Sequence, residues 1–270
     1  MDSVLEICLS IMSKVGSAIQ PKLCKSDFKI VKTSPTDHIT WDIDLMVEQL
    51  ISSELMKSGL NFILVSEDSP LNLFGSSPQY IIILDPIDGT DLIVRGLHGA
   101  ISSLFVMRHN TNEPVCAVIL DIATNQVYFA ANSIEGAYCN NKKITPANTE
   151  LLSHSLVSIY APKPERLLSL CRYKEFIKKV YRIHNYGGAL ALAQLANGQI
   201  DAVVEMIKGF RNIDFAAGFY IAERAGAYIR DLEDKPISID LDKDKRQKFI
   251  AASTRCLYEE IKKSIHSKRL

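Results

Sequence analysis

The chain has 270 residues, 47% hydrophobic and 23% charged, and its 31 Lys and Arg are matched by 31 Asp and Glu. At roughly 100–200 residues per domain, that length suits one large domain or two small ones, and either buries a real core. Zero net charge speaks against a nucleic-acid binder, no apolar run approaches the ~18 residues of a membrane span, and the acidic, interrupted N-terminus is not a signal peptide. The expectation is a cytoplasmic protein with no nucleic-acid and no membrane partner.

Residues 3–19 place Val4, Leu5, Cys8, Ile11, Met12 and Val15 at helical spacing, which predicts an amphipathic helix. After the polar stretch KTSPTDHITWD, the segment DLMVEQLISSELMKSG repeats that pattern and stops at Gly59, as a C-capped helix does. NFILVSED and YIIILDP are short apolar runs rich in β-branched residues and bounded by turn signals, so both predict buried strands. HGAISSLFVMRH predicts another strand, EPVCAVILDIATNQVYFAAN a hairpin turning at ATNQ, and SIEGAYCNNKKIT a short strand pair. A break falls near residues 144–155, giving expected domains 1–145 and 146–270. Beyond it, the strands SLVSIYAP, YRIHNYG, IDAVVEMI, AYIRDL and KFIAAS alternate with the helices ERLLSLCRYKEFIKKV, ALALAQLANG, DFAAGFYIAERAG and LYEEIKKSIHS. That alternation means layered α/β packing. The first half reads as α+β and the second as α/β. Six scattered cysteines with no C-x-x-C pair read as buried thiols in a reducing compartment. The basic ending KKSIHSKRL reads as a solvated tail.

Acids stand where the pattern is buried or turning. Glu67 and Asp68 end one strand, Asp85 and Asp88 another, and Asp44 and Asp214 open helices. Singly, each has a structural explanation, because Asp caps helices and forms turns with Gly. Together, carboxylates at the ends of several interior strands repel one another and lose solvation. Hard divalent cations such as Mg²⁺ resolve that conflict, since they take carboxylate and carbonyl oxygens. Gly89 then lets the backbone approach a ligand, and a helix starting after Thr90 points free N–H groups at an anion. Metals beside an anion site suggest phosphate chemistry.

DPIDGT at 85–90, SED at 66–68 and IDFAAGFYIAERAG at 213–226, with GALALAQLANGQIDA and GAYCNNKKI, resemble the inositol monophosphatase family of Mg²⁺-dependent phosphatases over nearly the whole chain. The resemblance implies a layered αβαβα sandwich, two or three Mg²⁺ ions, a small phosphorylated substrate and a homodimer. It makes Glu67, Asp85 and the Ile87 carbonyl ligands of one metal, and Asp85, Asp88 and Asp214 ligands of a second. Glu67, Asp44 and Thr90 become the catalytic set, with the Thr90 hydroxyl oriented by Asp44 to position the attacking water. Asp88, Gly89, Thr90, Gly188, Glu205 and Arg211 become the substrate-binding set. Asp68 replaces a family glutamate and is one methylene shorter.

Departures fall around the substrate. Ile213 replaces the usual Trp before Asp214, and Asp91, Leu92 and Ile93 follow GT where Asn and Phe are common. VRG at 94–96 and Arg211 resemble the archaeal-type enzymes that hydrolyse both fructose 1,6-bisphosphate and inositol 1-phosphate. Arg211 and Lys208 suit a distal phosphate, for which Arg offers a bidentate fork, against the alternative of a solvated loop arginine. Tyr160 and Tyr186–Gly188 are weaker candidates for the sugar pocket, and His184 reads as packed in a strand. The competing functions are a nucleotide 3′-phosphatase and a non-catalytic relative that binds phosphorylated ligands.

Overall fold

The computed structural model describes residues 3–25, 27–33, 39–67 and 71–266. They form two compact units, residues 1–135 and 136–270. Asp68 lies outside the described residues.

The first unit runs α1 (Ser3–Lys25), β1 (Ile30–Thr33), β2 (Ile39–Trp41), α2 (Asp42–Lys57), β3 (Phe62–Ser66), β4 (Asn72–Phe74), β5 (Tyr80–Asp88), α3 (Thr90–Val94), β6 (Ile101–Arg108), β7 (Pro114–Asp121) and β8 (Gln126–Ala131). Its main sheet has the order β8-β7-β6-β5-β3-β4. Only β3 and β5 pair in parallel; the other pairs are antiparallel. β5 is buried from Ile81 to Ile87, which is why it reads as an unbroken apolar run. The predicted stripe of α1 is buried and extends to Ile19, and the helix continues past Pro21. α1 packs on β7 and α2 on β5. Lys14 of α1 and Lys57 both pair with Glu54 of α2, and their ammonium groups hold its carboxyl down at about 2.

The second unit begins with the hairpin β9 (Ala137–Cys139) and β10 (Lys142–Ile144). It continues with β11 (Leu156–Ser158), α4 (Pro164–Ser169), α5 (Lys174–Ile177), β12 (Arg182–His184), α6 (Gly188–Ala196), β13 (Ala202–Arg211), α7 (Asn212–Ala225), β14 (Tyr228–Asp231), β15 (Arg246–Ala252) and α8 (Arg255–His266). Its five-stranded sheet has the order β12-β11-β13-β15-β14. β11 runs parallel to β12 and β13, while β15 is antiparallel to β13 and β14. Val157, Val204, Phe176, Ile250, Tyr258 and Ile261 belong to one buried cluster that joins the sheet to α5 and α8. α6 and α7 pack backbone to backbone at Gly218, where an added Cβ would lie 2.4 Å from the Ala189 carbonyl oxygen.

Several expectations change. The helix over ERLLSLCRYKEFIKKV is broken into α4, a 3-10 turn and α5. Leu167 and Leu168 are exposed while Leu170 and Phe176 are buried, so the segment lacks one continuous apolar face. β1, β2 and β4 were not predicted; they are three or four residues long and mostly exposed or half-buried, and so carry no strong period. Cys24, Cys171 and Cys256 are exposed rather than buried. His184 is exposed and stacks on Tyr186, with centroids 5.8 Å apart, instead of packing inside. The supposed tail is helical as far as His266. Among the described residues, no helix is long and apolar enough to cross a membrane.

Candidate active site

The spacing of DPID is explained by a break in register. On β5, Pro86 and Ile87 separate the paired positions Asp85 and Asp88, whereas on β6 only Ser102 separates Ser103 from Ile101. Two residues against one is a β-bulge, and Pro is suited to it because it has no N–H to leave unpaired. In a regular strand, residues three apart face opposite sides of the sheet. The extra residue restores parity, so Asp85 pairs with Ser103, Asp88 with Ile101, and both carboxylates face one side. β3 supplies the next acid. It runs parallel to β5 with Ser66 opposite Leu84, so Glu67 emerges one residue later beside Asp85, one strand spacing of about 4.8 Å away. Asp85 is only 2% exposed, and a carboxylate that buried requires hydrogen bonds or positive charge beside it.

The chain then turns through Gly89, whose φ is +87°. A side chain there would also meet Leu92 at 3.3 Å and Ala100 at 3.4 Å, so the turn needs glycine on both counts. α3 follows and is five residues long. So short a helix has little macrodipole, and its contribution to an anion is the first free amides. The Thr90 hydroxyl lies 2.7 Å from Asp44 Oδ1 and 3.0 Å from the Ile87 carbonyl oxygen. Asp44 does not open its helix, as the sequence suggested. It is the third residue of α2, and its Oδ2 accepts the Trp41 backbone N–H at 2.7 Å. One carboxylate thus caps α2 and holds Thr90.

Asp214 repeats this arrangement as the third residue of α7, with Oδ2 accepting the Arg211 backbone N–H at 3.2 Å. The Arg211 side chain forks onto the same carboxylate. Its Nε lies 3.1 and 3.0 Å from the two oxygens, and Nη2 lies 2.6 Å from Oδ1. Arg211 is therefore held at Asp214 and does not stand as a solvated loop arginine. Glu205, read from sequence as a substrate contact, is 2% exposed. Its Oε1 accepts the backbone N–H groups of Ile207, Lys208 and Gly209 at 2.8, 3.0 and 3.0 Å. The carboxylate braces the irregular stretch where β13 loses register with β15 between Glu205 and Phe210. Gly188 is the buried first residue of α6, with φ +75°. Beside it, Gly187 is pressed against Phe210 and Tyr160.

The braced stretch carries Lys208 into a cluster of cations of which the sequence singled out only Lys208 and Arg211. Arg246 foremost, then burial, then Arg166, Lys163 and Arg211 push the Lys208 ammonium below its usual range. Arg246 also donates to the Gly209 carbonyl at 2.9 Å, and Arg166 lies over the Tyr160 ring. These residues come from α4, β13 and β15 and from the turn before α4, so no local motif announces them.

Among the described residues, no group of three or more His, Cys, Asp or Glu side chains forms a ready-made metal cage. The donors that the β5 bulge brings to one face are nevertheless all hard oxygens, two aspartates with Glu67 alongside, which suits Mg²⁺-like cations and not zinc or copper. The class is thus a mixed α/β protein with an acidic strand end leading into an amide-rich turn. A model described as the inositol monophosphatase family matches residues 1–269. The chain is 33% identical over 264 residues to a fructose-1,6-bisphosphatase of Pyrococcus furiosus, covering 97% of this chain and 96% of that protein. It is 28% identical to a fructose-1,6-bisphosphatase/inositol-1-monophosphatase of Methanocaldococcus jannaschii, covering 93% and 94%. A solved Pyrococcus horikoshii structure, described as having similarities to inositol-1 monophosphatase, superposes with a TM-score of 0.79 at 28% identity, covering 97% and 98%. The chain belongs to the inositol monophosphatase family, and its fold is that family's.

Proposed function

We propose that the protein is a Mg²⁺-dependent phosphoric monoester hydrolase acting on sugar or polyol phosphates. The observation that carries this reading is the β5 bulge, which turns Asp85 and Asp88 to one face with Glu67 alongside. Those three carboxylates, the Ile87 carbonyl and Asp214 are read as the metal ligands. Bound Mg²⁺ would lower the pKa of a water and offset charge on the phosphoryl oxygens.

The chain's own residues do the rest. Gly89 and Thr90 offer backbone amides to the phosphate. Thr90 donates its proton toward Asp44, which turns a lone pair toward the attacking water. As the water oxygen bonds to phosphorus, its proton passes to Thr90 Oγ1 while the threonine proton passes to Asp44. The P–O ester bond breaks, and the alcohol leaves as the sugar or polyol with a proton from solvent.

The cation cluster favours a substrate with a second phosphate. Arg246, Arg166 and Lys163 each repel the Lys208 ammonium, and an anion among them would relieve that repulsion. That favours fructose 1,6-bisphosphate over inositol 1-phosphate; the Pyrococcus furiosus relative is named for the first activity alone and the Methanocaldococcus jannaschii relative for both. Family resemblance supports a homodimer, and the scattered cysteines without a C-x-x-C pair support a cytoplasmic setting. The test is Mg²⁺-dependent phosphate release from both esters by the wild type and Lys208→Ala. The expected result is turnover of both, with KM for the bisphosphate raised several-fold by the substitution and KM for inositol 1-phosphate unchanged. Equal effects on the two would remove the distal-phosphate assignment, and no release from either would remove the enzyme.

A further inference from the structure

We infer that Arg211 and a divalent cation compete for the Asp214 carboxylate, so that Arg211 sets how tightly the ion at Asp214 is held. This rests on the reading of Asp214 as a metal ligand. The side-on fork uses both carboxylate oxygens, through Nε at 3.1 and 3.0 Å and Nη2 at 2.6 Å. A guanidinium in that position repels a cation and occupies its ligands.

The arrangement also offers a way out. Arg211 and Asp214 side chains are 26% and 19% exposed, so neither is locked in the core. Arg211 Nη1 lies 3.9 Å from Oδ1 of Asp244, an exposed acid on the segment before β15. A turn of the guanidinium toward Asp244 frees Asp214 while keeping the arginine paired. Arg246, opposite Arg211 in the β13–β15 register, and Lys208 add positive charge that opposes any other resting place. The Asp214 backbone cap remains in either state, because it uses the Arg211 N–H and not its side chain. Arg211 is thus a positioning residue, acting on the ion through Asp214. A partly exposed bidentate pair of this kind biases an equilibrium roughly two- to fivefold.

The test is calorimetric Mn²⁺ titration of the full chain at fixed pH and ionic strength, on the wild type, Arg211→Met, Arg211→Lys and Asp214→Asn. Arg211→Met is expected to bind the weaker ion about two- to fivefold tighter. Arg211→Lys, which keeps the charge but loses the fork, is expected to fall between Met and wild type, and it carries the test if the Met variant does not fold. Asp214→Asn is expected to bind one ion fewer. Unchanged or weaker Mn²⁺ affinity in both arginine variants, with an ion lost in Asp214→Asn, would overturn the competition alone. A full complement of ions in Asp214→Asn would overturn the competition together with the ligand reading beneath it.

Discussion

Asp44 carries two tasks at once, and they can be separated by substitution. Its Oδ2 caps α2 through the Trp41 N–H, and its Oδ1 receives the Thr90 hydroxyl. Thr90→Val removes the hydroxyl and nothing of the cap. It is expected to lower kcat by about 10²- to 10⁴-fold with the melting temperature little changed, while Thr90→Ser keeps most of the rate. Asp44→Ala is expected to lose the same rate and also about 1 kcal/mol of stability with the cap, read by denaturant unfolding. Because the proposed relay uses the two side chains together, the double variant should be scarcely slower than either single one. A double variant whose losses multiply would show that Thr90 and Asp44 act separately.

Elements place these residues, and here the sequence was legible unevenly. The buried strands β3, β5, β6 and β7 and the stripe of α1 were readable because long apolar runs and clean periods have few alternative structures. The bulge in β5 was not, since it exists only as a mismatch against β6. Asp44 and Asp214 were seen as helix openers but sit at the third residue, because a side chain reaching back to a preceding N–H looks in sequence like a residue further forward. Glu205 lies in the strand read as IDAVVEMI, and the three backbone amides that its Oε1 accepts follow it at an irregularity that no sequence period shows. Glu205→Ala is therefore expected to cost about 2–4 kcal/mol in denaturant unfolding, since hydrogen bonds to a charged group are the strong ones, and Glu205→Gln about half of that. A neutral Glu205→Ala would return the residue to the substrate. The α6–α7 contact makes a second element-scale prediction. Gly218→Ala forces a Cβ to within 2.4 Å of the Ala189 carbonyl oxygen, which should cost roughly 1–3 kcal/mol and shift the helix that carries Asp214. The melting temperature reads the first effect and Mn²⁺ affinity the second.

For the whole molecule, balanced charge conceals local asymmetry. The formal net charge is zero, yet the structure gathers acids at the end of β5 and cations around Lys208. Composition showed neither cluster, because each is assembled from separate stretches of chain. In the proposed function the acids hold metal and the cations narrow the substrate. The central claim is that the carboxylates turned to one face by the β5 bulge hold the ions that activate water. Asp88→Asn tests it most directly, because it keeps size and hydrogen bonding while removing one charged ligand. Phosphate release from fructose 1,6-bisphosphate should be measured across a Mg²⁺ titration for the wild type and this variant. The account predicts release that depends on Mg²⁺ in the wild type and falls by at least about 10²-fold in Asp88→Asn at saturating metal. Equal release by the two proteins, or release by the wild type that is indifferent to Mg²⁺, would contradict it.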